Sequence, residues 1–209
     1  MADEHEHDHA HDHAHEHDHD HDHDHEHDEA EEDRYREGER SFNRQRALAQ
    51  IRQYPDVALR MRAREVTQFD EFLIQLVERM YELMGDAQGV GLAATQLGVL
   101  QRVFVFAPDD EPARAVVNPV LTLDDEKLTE EEGCLSLAEV RVPVERSAKV
   151  AIDGKDPSGD DVHYELEGLA ARVVQHETDH LDGVLIIDRT DPESRKRALG
   201  ELRPQPTLA

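Results

Sequence analysis

Tryptophan is missing from this 209-residue chain, aromatic residues make up only 4% of it, and cysteine occurs once. A single cysteine, Cys134, excludes an internal disulfide. A reducing compartment is then the default, and the thiol is either inert core or chemistry. No apolar run approaches the roughly 18 residues that a membrane span needs. The opening MADEHEH has neither the basic nor the apolar region of a secretory signal, so a cytoplasmic protein with no membrane partner is expected. Cations are scarce too: 23 Lys and Arg stand against 49 Asp and Glu, for a net charge of −26. Sixteen of those acids, and no Lys or Arg, fall in the first 33 residues, which leaves about −10 for the remainder. That balance argues against broad phosphate contact, and no DNA partner is expected.

Residues 1–33 alternate His with Asp or Glu and hold 12 of the chain's 15 histidines. The period is two, but neither face is apolar. Ordering such a segment costs about 1–2 kcal/mol per residue with no hydrophobic return, so a disordered tail is expected. Residues 34–47 turn basic and read as a linker, and a folded domain is expected over 48–209. Within it IRQYPDVALRMRA reads as extended, with a turn at Pro55-Asp56. Helical periodicity from Phe69 to Met84 follows, with Thr67 as N-cap and Gly85 as stop. Short β-like runs lie at 102–106, 114–119, 148–152 and 161–167. A second helix is expected over 168–181, and a third begins at Pro192, a residue suited to a first helical turn. The order implies an α+β domain: short, mostly antiparallel strands around a central helix.

That central helix carries His176-Glu177-Thr178-Asp179-His180. Two histidines four residues apart share one helix face and can reach one ion, with Glu177 beside it to handle the proton of a water. The apolar flanks GLAARVV and LDGVLII make the helix buried, where unpaired ionisable groups are costly. A third ligand is needed. The extended peptidase pattern would place a histidine at 186, where the chain has Ile, and a glutamate ligand leaves only Glu193 or Glu201. Cys134, in Glu132-Gly133-Cys134-Leu135-Ser136, is the better candidate, because a thiolate suits iron or zinc. A third motif, GVGLAATQ over 89–96, fits three readings. It matches a dinucleotide fingerprint, though it follows a helix rather than a strand. It also fits a tight turn, or a wall where backbone meets ligand, ending in Gln96 as donor to a developing oxyanion.

Taken in order, GVGLAATQ, EGCLS and QHETDHLDG resemble the peptide deformylase family, and the similarity runs from about Tyr54 to Arg189. The resemblance implies an α+β fold and removal of the formyl group from N-formylmethionine of newly made polypeptides. It implies one divalent metal per chain on Cys134, His176 and His180, ferrous iron in the cell, replaceable by zinc, nickel or cobalt. It makes Glu177 the proton carrier, and Gln96 and the Leu135 N–H the donors to the carbonyl oxygen. Val90, Gly91, Arg141, Gly168, Leu169 and Val173 match positions lining the peptide and methionine site. Ala138 departs from the proline that many family members carry after the cysteine motif.

Rival readings are an HExxH metallopeptidase with a glutamate ligand and a metal-storage protein working through its tail. For the tail, three roles stay open: a metal-buffering arm that takes extra transition-metal ions, a solvated acidic segment, or a pH-sensitive one. Arg195-Lys196-Arg197 fits either a ribosome contact or a solvated helix face.

Overall fold

The computed structural model describes residues 23–107 and 112–202. The first 22 residues of the expected disordered tail lie outside them. From His23 the chain is helical: α1 covers His23–Leu48, replacing the disorder expected up to 33 and the whole of the 34–47 linker. Apolar periodicity gave no sign of this helix, but its charge order does. Acids crowd its start and cations its end, with Arg46 in the last turn, as the helix macrodipole favours. Glu32 and Arg36 pair at i,i+4, 3.0 Å apart. The chain divides into two compact units, one ending at Glu39 and the other beginning at Arg40.

In the second unit a 3-10 turn, Val57–Arg60, interrupts the segment read as extended, with Asp56 accepting from the Ala58 N–H as its cap. Helix α2 spans Glu71–Asp86. Its N-cap is Asp70, whose carboxylate accepts from the Leu73 N–H, and not Thr67. The first apolar residue of the run, Phe69, therefore precedes the helix. Nor does Gly85 end it. The chain turns at Gln88, which takes a φ of +58°, while the Gly89 N–H donates to the Met84 carbonyl.

Seven strands follow: β1 (Gly91–Ala93), β2 (Val103–Phe106), β3 (Arg114–Leu123), β4 (Lys127–Cys134), β5 (Leu137–Ser147), β6 (Lys149–Lys155) and β7 (Asp161–Glu167). One antiparallel sheet runs β1-β2-β3-β6-β7, and β4 with β5 forms a separate hairpin. Four of these strands match the β-like runs of the sequence. The hairpin was not expected, because charge dominates β4, KLTEEEGC, and five of its eight residues in a row are exposed.

Helix α3, Gly168–Leu181, falls on its expected range. Ala171, Val174 and Leu181 bury one face against Phe104, Phe106, Val150 and Ile152 of the sheet. The hairpin's inward residues Val140, Val142 and Val144 pack instead with Leu185, with Ile186 and Ile187 of the short helix α4 (Ile186–Arg189) that it precedes, and with Ala198 of α5 (Pro192–Glu201). Asp191 caps α5, whose start at Pro192 matches expectation. The architecture is the α+β arrangement expected, with the HETDH helix between sheet and hairpin. Among the described residues no helix is long and apolar enough to cross a membrane.

Candidate active site

Helix α3 presents His176 and His180 on one face, and the end of β4 brings Cys134 to them. One ligand atom from each of the three lies within 4.8 Å of the others. The Cys134 Sγ is 3.2 Å from the His180 Nε2. Glu193 and Glu201, the alternative ligands, are not in this group, and Ile186 is buried core. The bulge where β4 meets β5, between Gly133 and Cys134, breaks the ladder register at the cysteine.

The histidines are prepared differently. Nδ1 of His176 lies 3.0 Å from Glu132 Oε2, which leaves Nε2 for the site. Burial opposes a proton on His176, but contacts with Cys134 and Glu132 outweigh it and raise its pKa well above the ordinary value. Burial, with the positive charge at His176 and Arg146, holds His180 well below its ordinary value, in the neutral form that binds metals. Its backbone carbonyl accepts from the Thr95 hydroxyl at 3.2 Å.

Glu132, noted in the sequence only as a polar flank, anchors this arrangement. It is 5% exposed and takes 2.9 and 3.0 Å bonds from Arg146 and one of 2.7 Å from Arg172. Burial alone would raise its pKa. Hydrogen bonds from His176 and Arg146, with the Arg146 charge, instead hold the carboxyl well below the carboxylate range. Arg146 continues to Asp179 on α3, and Arg189 closes on the same carboxylate from α4. Hairpin, α3 and α4 are thus tied by one charged network. A hint was available in the sequence: a buried glutamate beside Gly133-Cys134 must have partners.

Because the folded carboxyl titrates far below its unfolded value of about 4.3, Glu132 contributes stability above that pH and loses it as pH falls. Unfolding midpoints taken from pH 6 down to 3 should drop in the native protein. In Glu132→Gln, destabilised throughout, they should drop less steeply. Parallel acid profiles would remove the network from the acid response.

Glu177 is buried and its Oε2 has no hydrogen-bond partner. Burial is the main cause that pushes its pKa up to about 7, helped by the Glu132 charge and opposed by His176 and Arg146. Its Oε1 lies against the backbone of β1. A Cβ on Gly91 would overlap that oxygen and stand 2.8 Å from Val173 Cγ1. A Cβ on Gly89 would meet Leu135 Cδ1 at 2.8 Å. The glycines of GVGLAATQ therefore serve close approach of backbone to site side chains, and the dinucleotide alternative has no support. Gly91→Ala must displace Glu177 or Val173. It should lower turnover at least tenfold with a modest loss of stability, read by parallel kinetics and thermal melts. Near-native turnover would show that the contact gives way freely.

A 3-10 turn, Ala94–Leu97, orients Gln96. Its Oε1 accepts from the Ala93 N–H at 2.8 Å, and its Nε2 donates to Ser136 Oγ at 3.0 Å and lies 4.0 Å from Cys134 Sγ. The amide is held from both ends with its donor facing the cysteine. Ser136, missed in the sequence as a partner, supplies one of those holds. The Leu135 carbonyl accepts from Gln53 Nε2 at 2.9 Å.

These groups open into a cleft of about 380 Å³. Gln96, Cys134, Leu135, His176 and Glu177 line it, as do Val90, Gly91, Arg141, Leu169 and Val173. Gly168 does not. It starts α3 with a φ of +59°, and its share in the site is to set where that helix begins. The donor set of one thiol and two imidazoles fits a divalent transition metal, and a carboxylate behind one histidine is the usual support of such a ligand.

Fold and site together fit a metal-dependent hydrolase of the HExxH kind, with a cysteine completing the group of three candidate donors. The family model described as "Polypeptide deformylase" matches residues 48–196, and the chain belongs to that family. A peptide deformylase of Thermotoga maritima is 50% identical over 149 residues, 71% of this chain and 90% of the relative. Peptide deformylase 1 of Corynebacterium glutamicum is 45% identical over 161 residues, covering 75% and 95%. The crystal structure of a peptide deformylase from Legionella pneumophila superposes with a TM-score of 0.70 at 38% identity, over 73% of this chain and 91% of that one.

Proposed function

We infer that this chain hydrolyses the formyl amide of N-formylmethionine at the start of newly made polypeptides, giving formate and a free amine. The observation that carries this is a buried, unpartnered Glu177 carboxylate beside three converging metal donors at the floor of a cleft. We assign the metal to Cys134, His176 and His180, with ferrous iron as the ion in the cell and zinc, nickel or cobalt as substitutes. Bound there, the ion supplies Lewis acidity that polarises the formyl carbonyl and makes water acidic enough to attack near neutral pH.

The chain's own groups do the rest. Glu177 takes a proton from the attacking water and passes it to the leaving amine, a role suited to a pKa of about 7. Gln96 Nε2 and the Leu135 N–H donate to the carbonyl oxygen as its charge grows. Each such donor is typically worth about 2.7–4 kcal/mol to the transition state. Val90, Gly91, Arg141, Leu169 and Val173 hold the peptide and the methionine side chain. Formate release from formyl-Met-Ala-Ser by anaerobically purified protein tests the assignment. Cleavage of an internal peptide bond without formate would overturn it in favour of a peptidase.

The tail, with 12 histidines alternating with carboxylates, is assigned a second metal-binding role, suited to nickel, zinc or copper rather than ferrous iron. Deleting residues 2–33 should lower metal content per chain and slow activity under metal limitation; equal values would remove the role. Ribosome contact through the C-terminal segment draws less support, since Arg195 is held by Asp188 and the Ile187 carbonyl. Cosedimentation with and without residues 192–209 decides it, equal binding counting against the segment. The cytoplasm is the compartment where the formylated substrate is made, and we place the protein there.

A further inference from the structure

Arg44 is a cleft-lining residue that belongs to none of the three motifs. It comes from the last turns of α1, four residues ahead of the first position matched by the family model. Its placement follows from the helix. Ala47 is buried, and Leu48 packs beside it on the cluster formed by α2 and β2. At i+3 and i+4 these two share a face with Arg44, so anchoring them turns Arg44 the same way. The α2 side of the cleft rim is Gln88 and Gly89, the residues that follow α2. Arg44 is exposed, and no hydrogen bond or ion pair engages its guanidinium among the described residues. Among the described residues the Arg141 guanidinium, on the hairpin side, donates to the Glu131 carbonyl alone, at 3.5 Å. The other charged lining groups are Glu131, which is exposed, and the Glu132, Arg172, His176 and Glu177 set, in which Arg172 and His176 both pair with Glu132.

We propose that Arg44 is a specificity-determining residue that engages a carboxylate of the formylated peptide beyond the methionine. The carboxylate is either an acidic side chain or the free C-terminus of a short substrate. Planar guanidinium matches carboxylate in two parallel bonds, so Arg serves this role better than Lys. The inference rests on the proposed deformylase activity. A chain this acidic repels acidic peptides at long range, and an unpaired cation at the mouth offsets that repulsion locally.

Four peptides separate the sources: formyl-Met-Ala-Ser-amide, its free acid, formyl-Met-Ala-Glu-amide and formyl-Met-Glu-Ser-amide. Native protein, Arg44→Ala, Arg44→Lys and Arg44→Glu are compared on each at low and at 0.5 M salt. The native enzyme should favour a carboxylate-bearing peptide over the neutral amide through KM. Arg44→Ala should cut that preference roughly three- to fivefold, the range of an exposed ion pair, with kcat little moved. Arg44→Glu should reverse it, Arg44→Lys should restore part of it, and high salt should erase it. The peptide that loses most identifies the source. An acidic-to-neutral ratio identical in all four proteins overturns the assignment. No formate from the neutral amide with native protein overturns the deformylase reading itself, and this inference with it.

Discussion

Glutamine in place of Glu177 is expected to leave metal content equal to that of the native protein and the fold intact, while kcat falls by about 10²–10⁴. The substitution is nearly isosteric, so the close packing against Gly91 survives. What disappears is a proton acceptor whose surroundings are tuned to exchange. The carboxyl is buried, its Oε2 has no partner among the described residues, and burial pushes its pKa up to about 7. An amide in that position can neither accept the water's proton nor return it to the amine. Metal analysis and steady-state formate release on the same preparation check both halves. Retention of most activity would assign the proton to another group and sink the mechanism.

Cys134→Ala is the second large effect, and it separates a cysteine-ligated site from the glutamate-ligated alternative. Measured in protein lacking residues 2–33, so that tail-bound ions do not count, losing one of three donors should reduce bound metal to a small fraction of that of the same protein with Cys134 intact. It should also abolish any rise in melting temperature on adding metal. A ligand present at 100 times its Kd stabilises by about 2.7 kcal/mol, or several degrees for a domain of this size. The native protein should show that rise and the variant should not. Gln96 Nε2 and the Ser136 N–H, which lie 4.0 and 3.4 Å from the sulfur, lose their partner as well. A tail-less variant that keeps its metal would point to a third ligand elsewhere in the domain.

Parts of the fold with strong local signals were legible in the sequence. The range of α3 and the Pro192 start of α5 follow from apolar spacing and end residues. Thr67 misled as a cap because Asp70, three residues on, is the better acceptor and the chain between them is not helical. α1 escaped a search for apolar faces because its order lies in charge sequence rather than in hydrophobic spacing. Cys134, His176 and His180, which the structure brings together, could be singled out as a group because metal chemistry restricts residue type and spacing sharply. Glu132, Ser136 and Arg146 could not, since each acts through a partner far along the chain, from 14 to 44 residues away. Arg44 carries no motif at all, and only packing places it at the cleft.

The hairpin bearing Cys134 and the helix bearing both histidines also set a timetable for the site. Forty-six residues separate Cys134 from His180. At synthesis rates of about 5–20 residues per second, the thiol leaves the ribosome roughly 2–9 s before His180 can join it. During that interval Cys134 is an open thiol, able to be oxidised or to capture a stray ion. Docking of α3 ends the interval: Glu132 seizes His176, the sulfur meets His180, and the thiol becomes part of a pocket.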